Sequence, residues 1–294
     1  MHTTITPKGP VTTITDTDRN RLLLLLKRTS PLMVMDLKPP GHWRTMSSDD
    51  RWLQIVQQVC VTASARGMAA IMTDPDRRLS FSRAVSISTW KQNGFGDQYL
   101  APILRKFKAV RFHSKAAARL RIVVGNLKCV KAGRVVLFDR LPQTANAIRE
   151  ELMSRCPVFG CKSVSDFMID AGLSRDVIAL DTRVIGALKR YFEYQLFSTL
   201  RAPSQAPIGL SLKATIPRLQ ADKRLYLSLE KELRAICTEA KTSLAVLDQV
   251  LFRLSAMDAL QFLMKEVDST LREEPAAASK NANTRAGRVG TAAA

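Results

Sequence analysis

The chain has 294 residues, of which 46% are apolar and only 6% aromatic. This length allows one large core or two modest domains, and the composition favours packed helices. Its 45 lysines and arginines against 26 acidic residues give a net charge of +19. Such a balance is typical of proteins that bind a polyanion, so nucleic acid is the first candidate partner.

The cysteines and histidines exclude several classes of protein. Five dispersed cysteines favour reduced thiols in the cytoplasm or nucleus and argue against secretion. With only three histidines, we expect neither a histidine-based metal site nor a histidine triad, and no metal or cofactor. The apolar run 22–26 is too short to cross a membrane or form a signal-peptide core, so we expect no membrane association.

Taken in chain order, the sequence predicts an all-α protein. Residues 1–48 contain threonine runs and prolines and predict a partly irregular arm with one short helix. Cap residues and helical spacing predict a helix over Ser47–Gly67, stopped at the glycine. Leu79–Gln92 alternates like a strand but has the length of a helix, and we favour a helix.

Further helices are predicted over the second half of the chain. They occupy Leu141–Arg155, Thr182–Phe197 and Arg224–Ala240, and a further helix or two occupies Ser243–Val267. Proline, serine and glutamine mark residues 201–220 as an insertion loop, and low complexity predicts a disordered tail over 271–294. The helical domain would therefore span residues 49–270.

Positive charge is concentrated in one stretch of the chain. Ala101–Phe138 contains ten lysines and arginines and no acidic residue. One-signed charge of this kind favours contact with phosphates. A helix over His113–Val124 would have one buried face and one basic face.

A helical hairpin is predicted over residues 145–172. Pro157 and Gly160 supply the turn between two helices, and Gly172 ends the second. Backbone N–H groups at such a turn can bind a phosphate oxygen without reading sequence.

Lys162 and Asp181 are each predicted to open a helix. The positive end of the helix dipole disfavours a lysine ammonium at Lys162, and partial desolvation there would make it a nucleophile. The alternative is an ordinary surface lysine. Asp181 is a natural N-cap, and its role is either structural alone or also to stabilise a cationic transition state.

The segments around Lys162 and Asp181, together with two other regions of the chain, resemble the helix-hairpin-helix DNA glycosylase superfamily, in particular the archaeal-type 8-oxoguanine DNA glycosylases with lyase activity. "VFGCKSVSDF" is similar to the hairpin motif "G-[IV]-G-x-K-x-A-[SD]", and "DVIALDTRVI" is similar to the following run that ends in an Asp. Val110–Val124 resembles the "RF-x-N-K-A" helix, and Tyr226–Leu254 resembles the "LAELD-x-x-LW" helices. Val158 departs from the first hairpin glycine, Thr182 and Arg183 from an Arg-His pair, and Phe252 from a tryptophan.

The resemblance implies a fold of two helical subdomains flanking a cleft. It also implies a base-excision glycosylase with AP lyase activity on 8-oxoguanine, in which Lys162 forms a Schiff base with the sugar and Asp181 stabilises the developing positive charge. Contacts to the DNA backbone would come from Val158, Phe159, Gly160, Arg111, Lys115 and Arg119. The candidates to stack on a flipped base or fill its gap are Phe112, Trp90, Trp52 and Phe252, and the alternative for each is a place in the helical core.

Three alternatives remain at this point. The chain could remove another damaged or modified base, or bind DNA without catalysis, or be a helical RNA-binding protein. The last leaves the Lys162 and Asp181 spacing unexplained. We expect a monomer that binds duplex DNA with a damaged base, in a nucleoid-containing cytoplasm or a nucleus.

Overall fold

The computed structural model describes residues 14–29, 37–61, 66–191, 217, 219–255 and 264–270. The all-α prediction is confirmed over these residues: the strands are a two-residue antiparallel pair, β1 (Val130–Lys131) and β2 (Arg134–Val135). The chain divides into two compact helical units. We call Asp36–Leu180 with Gln220–Tyr226 the hairpin unit, and Met1–Met35, Asp181–Leu219 and Leu227–Ala294 the terminal unit.

The helices follow the predicted order along the chain. They are α1 (Asp16–Arg28), α2 (Ser48–Cys60), α3 (Arg66–Met72), α4 (Pro75–Val85), α5 (Ile87–Gln92), α6 (Asp97–Lys106), α7 (His113–Val124), α8 (Ala145–Arg155), α9 (Cys161–Asp170), α10 (Thr182–Tyr191), α11 (Lys223–Glu239) and α12 (Leu244–Ser255). A 3-10 turn forms at His42–Arg44, and residues 264–270 are helical.

Helix α2 is the centre of the hairpin unit. Ser47 caps it in a capping box, because its hydroxyl accepts the Asp50 N–H at 3.1 Å and the Asp50 carboxylate accepts the Ser47 N–H at 3.2 Å. Its buried face includes Trp52 and Ile55. The helix packs against α4, α7 and α9, and so it supports both the basic region and the hairpin.

The predicted end of this helix at Gly67 is wrong. Helix α2 ends at Cys60, and Gly67 lies inside α3. A Cβ at Gly67 would lie only 2.8 Å from the Ala109 carbonyl oxygen, so the glycine allows a close approach of two backbones and is not a helix stop.

The segment Leu79–Gln92 is helical, but it forms two helices and not one. Ser86 ends α4 and caps α5, because its hydroxyl accepts the Thr89 N–H at 3.2 Å. Trp52 of α2 and Trp90 of α5 are core residues. Trp52 and Trp90 are 1% and 0% exposed and donate their indole N–H groups to backbone carbonyls, so neither is placed to stack on a base.

The terminal unit begins within the predicted N-terminal arm. Helix α1 buries Leu22 and Leu25 completely, and Arg21 donates to Asp268 at 2.9 Å. Helix α10 packs against α12 in the same unit. Most of the predicted insertion loop and the whole predicted tail, 271–294, lie outside the described residues. No helix in the described part of the chain is both long and apolar enough to cross a membrane.

Candidate active site

The predicted hairpin is formed by α8 and α9, which pack against each other. Thr144 caps α8, and the turn closes with a hydrogen bond from the Phe159 N–H to the Cys156 carbonyl at 3.1 Å. Gly172 follows α9 with φ +65°, and a Cβ there would lie 2.5 Å from the Pro39 carbonyl oxygen. Glycine is therefore required at the end of α9 by both backbone conformation and space.

The predicted phosphate-binding turn residues differ in their surroundings. Phe159 is buried and its ring lies 5.1 Å from that of Phe167, while Val158 is partly exposed and Gly160 exposed. The Gly160 N–H donates to the Ser163 hydroxyl at 2.8 Å. Because the Phe159 and Gly160 amides already have partners in the turn, a phosphate there would have to share or replace those bonds.

Lys162 lies in the first turn of α9, as its sequence position predicts. Its Nζ donates to Asp166 Oδ2 at 2.8 Å, and the two side chains are 25% and 28% exposed. The two residues are four apart on one helix face, so the carboxylate offsets the unfavourable position of a cation at a helix start. Because both side chains are mostly buried, this ion pair contributes more to stability than a fully solvated pair would.

Two glutamines of α2 extend this polar cluster. The Gln58 amide donates to Asp166 Oδ2 at 3.2 Å, and Gln58 itself is only 2% exposed. One turn away, the Gln54 amide approaches Asp170 Oδ2 at 3.5 Å. The carboxylate that holds Lys162 is thereby fixed from a second, well-packed helix.

Asp170 is the most perturbed carboxyl group of this cluster. Burial raises its pKa from 3.8 to about 7, and the nearby Asp166 charge adds to the rise. Lys162 and Lys38 act in the opposite direction on this pKa. Asp170 therefore changes its charge close to neutral pH, beside the proposed nucleophile.

This raised pKa predicts how stability depends on pH. Because folded Asp170 holds its proton up to a higher pH than the unfolded residue, its contribution to stability falls from about pH 4 to about pH 7 and stays low above that. Asp170→Asn removes the buried charge, so it should raise the free energy of unfolding at pH 8 by up to roughly 4 kcal/mol. The gain should vanish near pH 4.

Thermal unfolding at pH 4 to 8 measures this effect. The matched control is Asp176→Asn, which alters an exposed aspartate six residues away. Equal pH dependence in wild type and Asp170→Asn would show that Asp170 ionises normally in the folded protein.

Asp181 caps α10, as predicted. Its Oδ1 accepts the Arg183 and Val184 N–H groups, both at 2.8 Å, and the residue is partly exposed. Lys162 belongs to the hairpin unit and Asp181 to the terminal unit. Each therefore opens a helix of its own unit.

The predicted backbone contacts of the basic region lie around the start of α7. Arg111 and Lys115 are exposed and Arg119 is partly exposed. Phe112 is 54% exposed, with the Arg111 guanidinium 5.3 Å from its ring centroid. A cation and an aromatic face are thus offered together to solvent, which suits contact with a phosphate and a base.

Phe252, the second predicted stacking residue, lies on α12. It is partly buried, and the Arg183 guanidinium lies 4.6 Å from its ring centroid. Arg183 follows Asp181 in the chain, so the cap and the aromatic side chain are connected within the terminal unit. The described residues contain no group of three side chains suited to a metal ion.

The described residues thus form a mainly helical fold that contains the hairpin of α8 and α9. A solved structure, the 8-oxoguanine glycosylase/lyase of Methanocaldococcus jannaschii in complex with a 15mer DNA containing 8-oxoguanine, is similar to this chain with a TM-score of 0.52. The similarity covers 80% of this chain and 95% of that one at 16% sequence identity. It establishes the fold of a DNA glycosylase. No family model and no curated protein sequence matches the chain.

Sequence reasoning missed the acidic partners of Lys162. The signal was present, because Asp166 and Asp170 follow Lys162 at intervals of four, which puts all three on one helix face. Gln58 carried no such signal, since it lies 108 residues away from Asp166 in the chain.

Proposed function

We propose that this protein is a base-excision DNA glycosylase with AP lyase activity, acting on oxidised guanine through a Schiff base at Lys162. The observation that carries the proposal is the position of Lys162. It stands in the first turn of the second hairpin helix, partly buried and held by Asp166, in a chain with the fold of a DNA glycosylase.

In the proposed reaction, the neutral Lys162 amine attacks C1′ of the damaged nucleotide. The N-glycosidic bond breaks, its electrons leave with the base, and the base takes up a proton. The Lys162 nitrogen then loses a proton, its lone pair forms the C=N bond of the Schiff base as the C1′–O4′ bond breaks, and O4′ takes up a proton to become a hydroxyl. Loss of a C2′ proton and departure of the 3′ phosphate complete β-elimination.

Lys162 must lose a proton before it attacks, because an ammonium has no lone pair. Asp166 Oδ2, 2.8 Å from Nζ, is within the distance required for proton transfer. Asp181 would stabilise the positive charge that develops on the sugar as the base leaves. Its carboxylate is already oriented by two backbone N–H groups, so it pays little reorganisation cost during the reaction.

Binding would follow the charge distribution of the chain. The base must leave the duplex to reach a side chain, and the exposed cations at Arg111 and Lys115 suit contact with the flanking phosphates. Arg119 and the hairpin residues Val158, Phe159 and Gly160 would add backbone contacts, and Phe112 and Phe252 would stack on bases. The partner is then duplex DNA with a damaged base, bound by a monomer in a nucleoid-containing cytoplasm or a nucleus, with no cofactor.

Borohydride trapping on a panel of duplexes tests this function. Each duplex carries one lesion, such as 8-oxoguanine, another modified base or an abasic site, with an undamaged duplex as control. We expect a covalent adduct with the abasic and 8-oxoguanine duplexes. An adduct on a different base only would support a glycosylase of other specificity, and binding without any adduct would support a non-catalytic DNA-binding protein.

A further inference from the structure

The four residues before Asp181 form a buried segment without regular secondary structure. Val177, Ile178 and Leu180 are fully buried and Ala179 is 3% exposed. Backbone N–H and C=O groups in such a segment cannot reach water, so they need partners inside the protein. The identity of those partners determines how rigidly the chain enters α10.

Two side chains from a distant part of the sequence bind this backbone. The Tyr226 hydroxyl donates to the Ile178 carbonyl at 2.5 Å and accepts the Leu180 N–H at 3.2 Å. The Gln220 amide donates to the Leu180 carbonyl at 3.0 Å. We call these three hydrogen bonds the Tyr226 clamp.

Tyr226 is itself held in place. It is 0% exposed, and the guanidinium of Arg149, also 0% exposed, lies 5.7 Å from its ring centroid. Arg149 belongs to α8, the first hairpin helix. Tyr226 lies in the first turn of α11, and Asp222 holds the start of that helix because its Oδ1 accepts the Arg224 N–H at 3.0 Å.

We propose that Tyr226, assisted by Gln220, is a positioning residue for Asp181. The clamp fixes the two residues flanking Ala179, and the Asp181 carboxylate follows directly from the Leu180 peptide. An error of about 1 Å in the position of a catalytic group can cost roughly 10²-fold in rate. The inference rests on the proposed function, because it assigns Tyr226 a role through the proposed charge stabiliser.

Tyr226→Phe tests the clamp, because it removes the hydroxyl and keeps the ring. In single-turnover borohydride trapping on an 8-oxoguanine duplex, where the base must leave, we expect the rate constant to fall roughly tenfold to hundredfold, with DNA affinity unchanged. Tyr99→Phe is the matched control, since Tyr99 also donates its hydroxyl to a backbone carbonyl, that of Ala84, at 3.3 Å. It should leave the rate unchanged. Gln220→Ala provides a second, milder break of the clamp if Tyr226→Phe does not fold.

A double-mutant cycle with Asp181→Asn separates positioning from general stability. If Tyr226 acts through Asp181, Tyr226→Phe should change the rate by less than about twofold once Asp181 is already asparagine. If the double variant instead loses the product of the two single rate losses, the positioning role is overturned. Unchanged trapping by both clamp variants, where the wild type forms the adduct, would overturn it as well. A wild type that forms no adduct on any duplex would instead overturn the proposed function, and the inference with it.

Discussion

Lys162→Gln is expected to abolish the covalent adduct with DNA while leaving DNA binding intact. Glutamine keeps most of the length of the side chain and can still donate to Asp166, but it has no amine to form a Schiff base. Trapping should therefore fall by roughly 10³-fold or more, as is usual when a nucleophile is removed. Single-turnover trapping on an abasic-site duplex and a binding titration measure the two effects separately.

The matched control for this variant is Lys91→Gln. Lys91 is exposed at the end of α5 and lies outside the basic stretch Ala101–Phe138. The control has the same change of charge, so a loss of trapping in both variants would indicate an electrostatic effect on binding. An adduct that persists in Lys162→Gln would show that another amine is the nucleophile.

The stability of Lys162→Gln should show whether the variant loses only the nucleophile or also part of its folding free energy. The ion pair of Lys162 with Asp166 is partly exposed, and such pairs contribute up to about 1 kcal/mol. Lys162→Gln should therefore unfold at a temperature only slightly lower than that of wild type. A large loss of stability would mean that the cluster with Gln58 has mainly a structural role.

Local signals in the sequence account for the parts of the fold that were predicted well. Ser47 caps α2, Gly172 ends the hairpin and Asp181 opens α10, because each of these features depends on residues within one or two helical turns. The hairpin and the all-helical class were both accessible for the same reason. The exposed cations at the start of α7 also follow from the stretch Ala101–Phe138, which contains ten basic residues and no acidic one.

Contacts between residues far apart in the chain account for the features that the sequence predicted wrongly or did not predict. Gly67 suggested a helix end, but the glycine instead leaves space for the backbone at Ala109, far along the chain. The hydrogen bond between Gln58 and Asp166 joins residues 108 positions apart. The hydrogen bonds of Tyr226 to Ile178 and Leu180 join residues 48 and 46 positions apart. No periodicity or motif contains this information, because it arises only when helices pack.

Asp181→Asn is expected to slow trapping on an 8-oxoguanine duplex on the order of 10²–10³-fold without destabilising the protein. Asparagine is as good an N-cap as aspartate, and its side-chain oxygen can accept the same Arg183 and Val184 N–H groups. The negative charge that would stabilise the cationic sugar is lost. The free energy of unfolding should therefore change by less than about 0.5 kcal/mol, while the trapping rate constant falls steeply.

Two further variants give this prediction its controls. Asp181→Ala removes the cap as well as the charge and should destabilise the protein by about 1 kcal/mol. Asp74→Asn makes the same chemical change at another aspartate cap, where Oδ1 accepts the Arg77 N–H at 3.0 Å, and should leave trapping unchanged. If Asp181→Asn traps DNA as fast as Asp74→Asn does, Asp181 is a helix cap only. In that case the charge on the sugar must be stabilised elsewhere in the protein.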